Sequence, residues 1–139
     1  MAKSTNLNFT QTLKLSAAVI TPTETTTAQT VFTAGTDDSV VKAINVQSTD
    51  TAARVLSLFV NNGSSDILIG RVNIPANSGN NGTAATVDLL GGTLMPSLPY
   101  DSQGKRCLPL PAGYILKAGT TTTVTAAQSI TVTAMAEDY

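Results

Sequence analysis

Apolar residues in this chain alternate with polar ones along short segments, and turn-forming residues separate those segments. The alternation is clearest at residues 40–48, 54–61, 66–74 and 130–134. A period of two residues places the apolar side chains on one face of a β-strand, and no long segment has the 3.6-residue period of a helix. About eight short strands separated by turns predict an all-β, antiparallel β-sandwich, with a jelly roll as the favoured form.

The segments at 54–61 and 66–74 are joined by Asn61-Asn62-Gly63-Ser64-Ser65. Asn and Gly adopt positive φ at low cost, so this sequence predicts a β-hairpin. In the strand at 40–48 we expect Val40, Ile44 and Val46 to share one face. Other predicted elements are strands near 29–33, 84–90, 114–117 and 120–125, with Val124 facing inward in the last, and one turn of helix near 87–95.

The chain of 139 residues has the length of a single domain. We assign residues 28–139 to one β-sandwich domain. Residues 1–27 are dense in threonine towards their end. They are interpreted either as an N-terminal arm that packs elsewhere or as the first strand of the same domain.

Residues 91–111 form an irregular segment that is rich in glycine and proline but also carries several large apolar side chains. A loop with this content normally packs against another surface, which is either the chain's own sandwich or a neighbouring subunit. A similar choice applies to the apolar residues of the possible arm. The candidate subunit-contact residues are therefore Leu7, Phe9, Leu13, Met95, Leu98 and Tyr100.

Charged residues make up only 12% of the chain, about half of the ~25% that is typical of globular domains. Threonine is abundant, with 23 copies. A neutral, polar surface suits a subunit that is covered by neighbours, because the cores of interfaces are poor in charge. The alternative is a threonine-rich surface that tolerates low charge. The basic residues are scattered and the net charge is −1, which disfavours nucleic-acid binding.

The residue types needed for most catalytic and metal sites are missing. The sequence contains no histidine and only one cysteine, Cys107, which removes histidine-dependent catalytic pairs and zinc sites. Most of the few carboxylates fall in predicted turns. We therefore expect a protein that is not an enzyme and that has no cofactor or metal. The first residues lead into no apolar leader and no membrane span is seen, so we expect synthesis in a cytoplasm.

The C-terminal run from Leu110-Pro111-Ala112-Gly113-Tyr114 to Glu137-Asp138-Tyr139, together with Ile44–Asp50, Arg54–Val60 and Asp66–Gly70, resembles small virion proteins of tailed bacteriophages. The resemblance covers roughly residues 28 to 139. It implies a jelly-roll-like capsid decoration (cement) protein, favoured as a homotrimer, that sits on the capsid exterior between subunits of the major capsid protein. Other possibilities are a receptor- or glycan-binding knob of a fibre or tail, and another head or tail subunit.

Overall fold

The computed structural model describes residues 12–91 and 93–138. A single 3₁₀ turn, Pro22–Glu24, is the only helical element in this part of the chain. The strands are β1 (Thr12–Ile20), β2 (Gln29–Thr33), β3 (Ser39–Ser48), β4 (Arg54–Asn61), β5 (Asp66–Ile74), β6 (Val87–Asp88), β7 (Leu108–Leu110), β8 (Ile115–Thr120) and β9 (Ile130–Asp138).

The strands form two antiparallel sheets that pack face to face. The five-stranded sheet has the order β1-β9-β3-β6, with β7 also paired to β3. The four-stranded sheet has the order β2-β8-β4-β5. The predicted all-β sandwich is thus confirmed. Apolar side chains from both sheets fill the space between them, and the largest that are fully enclosed include Ile20, Ile44, Leu56, Leu58, Leu116 and Ile130.

The predicted hairpin is confirmed, because β4 and β5 pair from Arg54↔Ile74 to Asn61↔Asp66. The turn is held by local side chains: the Asn61 side-chain oxygen accepts from the N–H of Gly63 at 2.8 Å. Gly63 has a φ of 95°, which is the conformation that glycine adopts without a steric penalty.

A β-bulge in β3 changes which side chains face the core. The register with β9 shifts between Val41 and Ala43. Val41 and Ile44 are therefore both buried, whereas Val40 is only half-buried. The prediction that Val40 shares the face of Ile44 is wrong, because an extra residue in one strand reverses the alternation beyond it.

One predicted strand is shorter than the pattern indicated, and the separate strand predicted at 120–125 is wrong. The segment at 84–90 is a strand only over Val87–Asp88, because the Asp88 side chain accepts from the N–H groups of Leu90 and Gly91 and turns the chain. Strand β8 ends at Thr120, and residues 121–125 are not a strand, although Val124 is buried as expected. The predicted helical turn near 87–95 is absent from the described residues of that range.

The described part of the segment 1–27 is built into the sandwich. Strand β1 pairs with β9 over nine residues, from Thr12↔Asp138 to Ile20↔Ile130. Ala18 and Ile20 are buried in the common core. The sandwich therefore begins upstream of residue 28, with β1 as one edge of the larger sheet.

Gly79 is the glycine for which substitution is expected to cost most stability. Its φ is 69°, and an added Cβ would clash with the Thr86 Cγ2. We expect Gly79→Ala to lower the free energy of unfolding by about 1–3 kcal/mol, measured by urea denaturation. Gly82→Ala is the matched control, because Gly82 has a φ of 76° but nothing within 4 Å of its added Cβ. Equal losses in the two variants would show that the contact with Thr86 is unimportant.

Candidate interaction surface

The outward face of β1 exposes a row of apolar side chains. Leu13 is 77% exposed, Leu15 is 72% exposed and Val19 is 52% exposed. They alternate with Ala18 and Ile20, which point into the core. Large apolar side chains are seldom left this open without a partner when they form a group.

Strand β9 adds to this row from the other end of the chain. The register places Met135 opposite Leu15, and Met135 is 47% exposed. We call the four residues Leu13, Leu15, Val19 and Met135 the outer patch. Around Leu13, Leu15 and Met135 the surface is concave, with a volume of about 310 Å³, and Lys42 and Glu137 form part of its wall.

The long loop between β6 and β7 presents an exposed aromatic ring. Tyr100 is 62% exposed, and the guanidinium carbon of Arg106 lies 4.5 Å from the centre of its ring. The Nη1 of Arg106 donates to the carbonyl oxygens of Pro96 and Leu98, at 2.8 Å each. These hydrogen bonds hold the Arg106 guanidinium over one face of the Tyr100 ring, where it makes a cation–π contact.

Lys42, at the β-bulge of β3, lies between the outer patch and the loop. Its Nζ lies 3.2 Å from the Asp101 Oδ2. The pKa of the Asp101 carboxyl is lowered, chiefly by the hydrogen bond from the Lys105 N–H. Burial raises this pKa, but the contacts with Lys42 and with the Gln103 N–H lower it further. Besides bordering the patch, Lys42 lines a second concave region of about 460 Å³ that also includes Tyr100 and Lys105. The outer patch and the loop are thus neighbours on one side of the molecule.

The candidate contact residues fall into different environments. Leu13 and Tyr100 are exposed and lie on this side of the molecule. Met95 is buried in the core, where its Cε would lie 2.9 Å from a Cβ added to Gly70. Leu98 is half-buried and packs against the same core. Met95 and Leu98 therefore belong to the chain's own sandwich, while Leu7 and Phe9 lie outside the described residues.

Sequence reasoning did not single out Leu15, Val19 and Met135. The alternation of Leu13, Leu15 and Val19 was available as a signal, but neighbouring Ala18 and Ile20 are apolar as well. Which of the two faces is covered depends on the opposite sheet. The contribution of Met135 depends on a strand pairing between the two ends of the chain, which leaves no local signal.

Asp50 is a fully buried carboxylate, and its oxygens are occupied. It accepts from the Nε of Arg54 at 2.7 Å and from the Thr125 Oγ1 at 2.7 Å. The N–H groups of Ala52 and Thr125 complete its shell at 3.0 Å each. A carboxylate with this set of donors and no exposed surface acts as a structural anchor between the β3–β4 turn and the segment after β8.

Residues 12–91 and 93–138 contain no group of three or more His, Cys, Asp or Glu side chains placed to hold a metal ion. Nor do these residues contain a helix long and apolar enough to cross a membrane. No protein-family model matches the chain, and no curated protein matches it in sequence.

Proposed function

We propose that this chain is a virion structural protein that binds the outer surface of a bacteriophage capsid and reinforces the contacts between major capsid subunits. The observation that carries the proposal is the outer patch, in which Leu13 and Leu15 are each more than two-thirds exposed on a regular strand. On this proposal the protein is made in the host cytoplasm and ends on the capsid exterior.

The physical basis is the burial of apolar surface at many equivalent positions. Covering an exposed leucine contributes about 1.5–3 kcal/mol, so a few such contacts give each copy a modest affinity. A shell presents the same site many times, and a subunit that bridges two shell proteins gains from the high effective concentration of the second contact. The low charge of the chain, 12%, limits the desolvation cost of covering its surface.

The order of the strands supports the jelly-roll interpretation. Successive strands β1, β2, β3 and β4 alternate between the two sheets, and β8 and β9 return to lie beside them. Long connections that bring late strands beside early ones are typical of Greek keys, two of which make a jelly roll. Such sandwiches place their edges and loops where neighbouring subunits can contact them.

A receptor- or glycan-binding knob is the second candidate, and Tyr100 is the observation that favours it. Sugars stack on exposed aromatic faces, and the Tyr100 ring is held open beside Lys105. Arg106 already covers one face of the ring, which leaves the other face for a ligand. A knob would bind cells or glycans, whereas a decoration protein would bind undecorated capsids.

Co-sedimentation with undecorated capsids tests the proposal. We expect the wild-type chain to pellet with the capsids, and the double variant Leu13→Glu, Leu15→Glu to lose roughly tenfold or more in affinity, because two charged groups would be desolvated at the contact. Both leucines are exposed, so the variant should keep the wild-type melting temperature.

The matched control is the double variant Val55→Glu, Leu68→Glu. These apolar residues of the four-stranded sheet are also exposed, at 36% and 43%, and we expect the control to bind capsids normally. Failure of the wild-type chain to pellet would contradict the proposed function. Equal losses in the two double variants would show that the outer patch is not the contact surface.

A further inference from the structure

The edges of the two sheets differ in how well they are protected from pairing with another strand. Native proteins protect edges with short strands, prolines, bulges and charges. Strand β6 has two residues and β7 has three, including Pro109. Strand β2 has five residues and a register shift beside Val31.

The remaining edge strands are β5 and β1, both nine residues long. In β5 the register shifts at Ile69, and Asp66 and Arg71 add charge. In β1 the pairing with β9 is continuous over all nine residues, there is no proline, and Lys14 is the one charged residue. Among the described edges, β1 is therefore the least protected, because Lys14 is its one protective feature.

The first half of β1 is also uncovered on both faces. Each of residues 12–15 is exposed, so the opposite sheet does not cover this half as it covers Ala18 and Ile20. Strand β9 holds β1 from one side. Along the other side, alternate N–H and C=O groups point outward from an antiparallel pair and are available to a further strand.

We propose that β1 pairs with β1 of a second copy of this chain, antiparallel about a two-fold axis at Ser16. This register uses the full length of both strands. It places Leu13 opposite Val19 and Leu15 opposite Ala17 of the second copy, so the outward faces match as apolar pairs. On the other face Lys14 lies opposite Ala18, which keeps the two lysines apart.

The expected area makes this a weak dimer. A nine-residue strand is about 30 Å long, and with a sheet about 10 Å thick its edge covers roughly 300 Å² on each copy. Stable interfaces bury about 1,000 Å² or more in total. We therefore expect a reversible dimer that forms as the concentration rises. Pairing leaves the outward faces open and brings the two outer patches side by side, so it is compatible with capsid binding but does not depend on it.

Single-cysteine variants test the register. A residue on the axis meets its own copy at roughly 4.5–5.5 Å between Cα atoms, within the range for a disulfide. Ser16→Cys should therefore form a disulfide-linked dimer under mild oxidation. Leu13→Cys alone should not form a linked dimer, because position 13 of the second copy lies about 20 Å away along the strand. A mixture of Leu13→Cys and Val19→Cys proteins should form a linked mixed dimer, because these two positions lie opposite each other.

The controls are the wild-type chain, whose one cysteine is buried, and Leu68→Cys on the bulged edge of β5. We expect roughly tenfold more linked dimer from Ser16→Cys than from either control. Sedimentation velocity of the wild-type chain provides a test that needs no variant, and a dimer that grows with concentration supports the proposal.

Three results would overturn it: equal cross-linking at Ser16 and Leu68, a monomer at every concentration, or the stable trimer that the phage resemblance implies. Removal of residues 1–11 is a further test. A large rise in self-association of the shortened chain would also overturn the proposal, because the chain's own first segment would then occupy the β1 edge of the full chain. A dimer that fails to bind capsids would contradict the proposed function and leave the pairing of β1 intact.

Discussion

Replacing Asp50 with alanine is expected to lower the free energy of unfolding by about 3–5 kcal/mol, the range for removing one partner of a buried ion pair. The Arg54 guanidinium, whose side chain is 17% exposed, would lose its carboxylate. The N–H groups of Ala52 and Thr125 would lose their acceptor. Urea denaturation at pH 7 measures the loss.

The size of the effect follows from the position of Asp50, whose carboxylate lies between two segments that are distant in sequence. Its side chain binds Arg54 at the start of β4 and Thr125 in the segment after β8. Its carbonyl oxygen accepts from the N–H of Asn77 in the loop after β5. The loss of the carboxylate would therefore loosen the connection between the start of β4 and the segment after β8, whereas the bond from Asn77 to the backbone carbonyl would remain. Asp37→Asn is the control, because Asp37 is exposed, and its effect should stay within about 0.5 kcal/mol.

The Asp50 contribution should also depend on pH. Burial raises the pKa of the Asp50 carboxyl, but the hydrogen bonds from Arg54, Ala52 and Thr125 outweigh it and hold the pKa well below its usual range. The folded-state pKa lies below the unfolded value of about 3.9. The stabilisation is therefore complete above pH 4 to 5 and is lost as the pH falls towards the folded-state pKa.

At pH 3 the difference in stability between the wild-type chain and Asp50→Asn should be smaller than at pH 7 by about 1 kcal/mol. The asparagine keeps the size of the side chain but carries no charge, so it isolates the ionised form. Parallel urea titrations at the two pH values give the comparison. An Asp50→Asn variant as stable as the wild type at pH 7 would contradict the role assigned to the carboxylate.

The parts of the fold that the sequence predicted are those set by local pattern. The β4–β5 hairpin was predictable because alternation and turn chemistry agree over 54–74. Residues 121–125 have the composition of a strand, but the Asp50 carboxylate binds Thr125 from a distant turn and holds the segment in another conformation. The bulge at Lys42 could not be predicted from the sequence either, because Val40 and Val41 are both apolar and either could face the core.

The candidate surface was predictable only in part, because it too depends on contacts between segments that are distant in sequence. Leu13 was named as a contact residue because it is apolar and lies in the possible N-terminal arm, and the structure places it on an exposed strand face. Met95 has the same apolar character, but it is buried against Gly70, and composition does not say which apolar residue of a loop turns inward. Met135 joins the outer patch because β9 pairs with β1, which is a property of the topology.

The same substitution, leucine to alanine, should have different effects on stability in the core and in the outer patch. Leu58 is fully buried between the sheets, so Leu58→Ala should cost about 2–5 kcal/mol of stability through lost contacts and a cavity. Leu15 is 72% exposed, so Leu15→Ala should change stability by less than about 0.5 kcal/mol while weakening capsid binding. Urea denaturation and capsid co-sedimentation of the two variants give the four values. If Leu15→Ala were as destabilising as Leu58→Ala, then Leu15 would serve the fold, and a binding role for the outer patch would lose its basis.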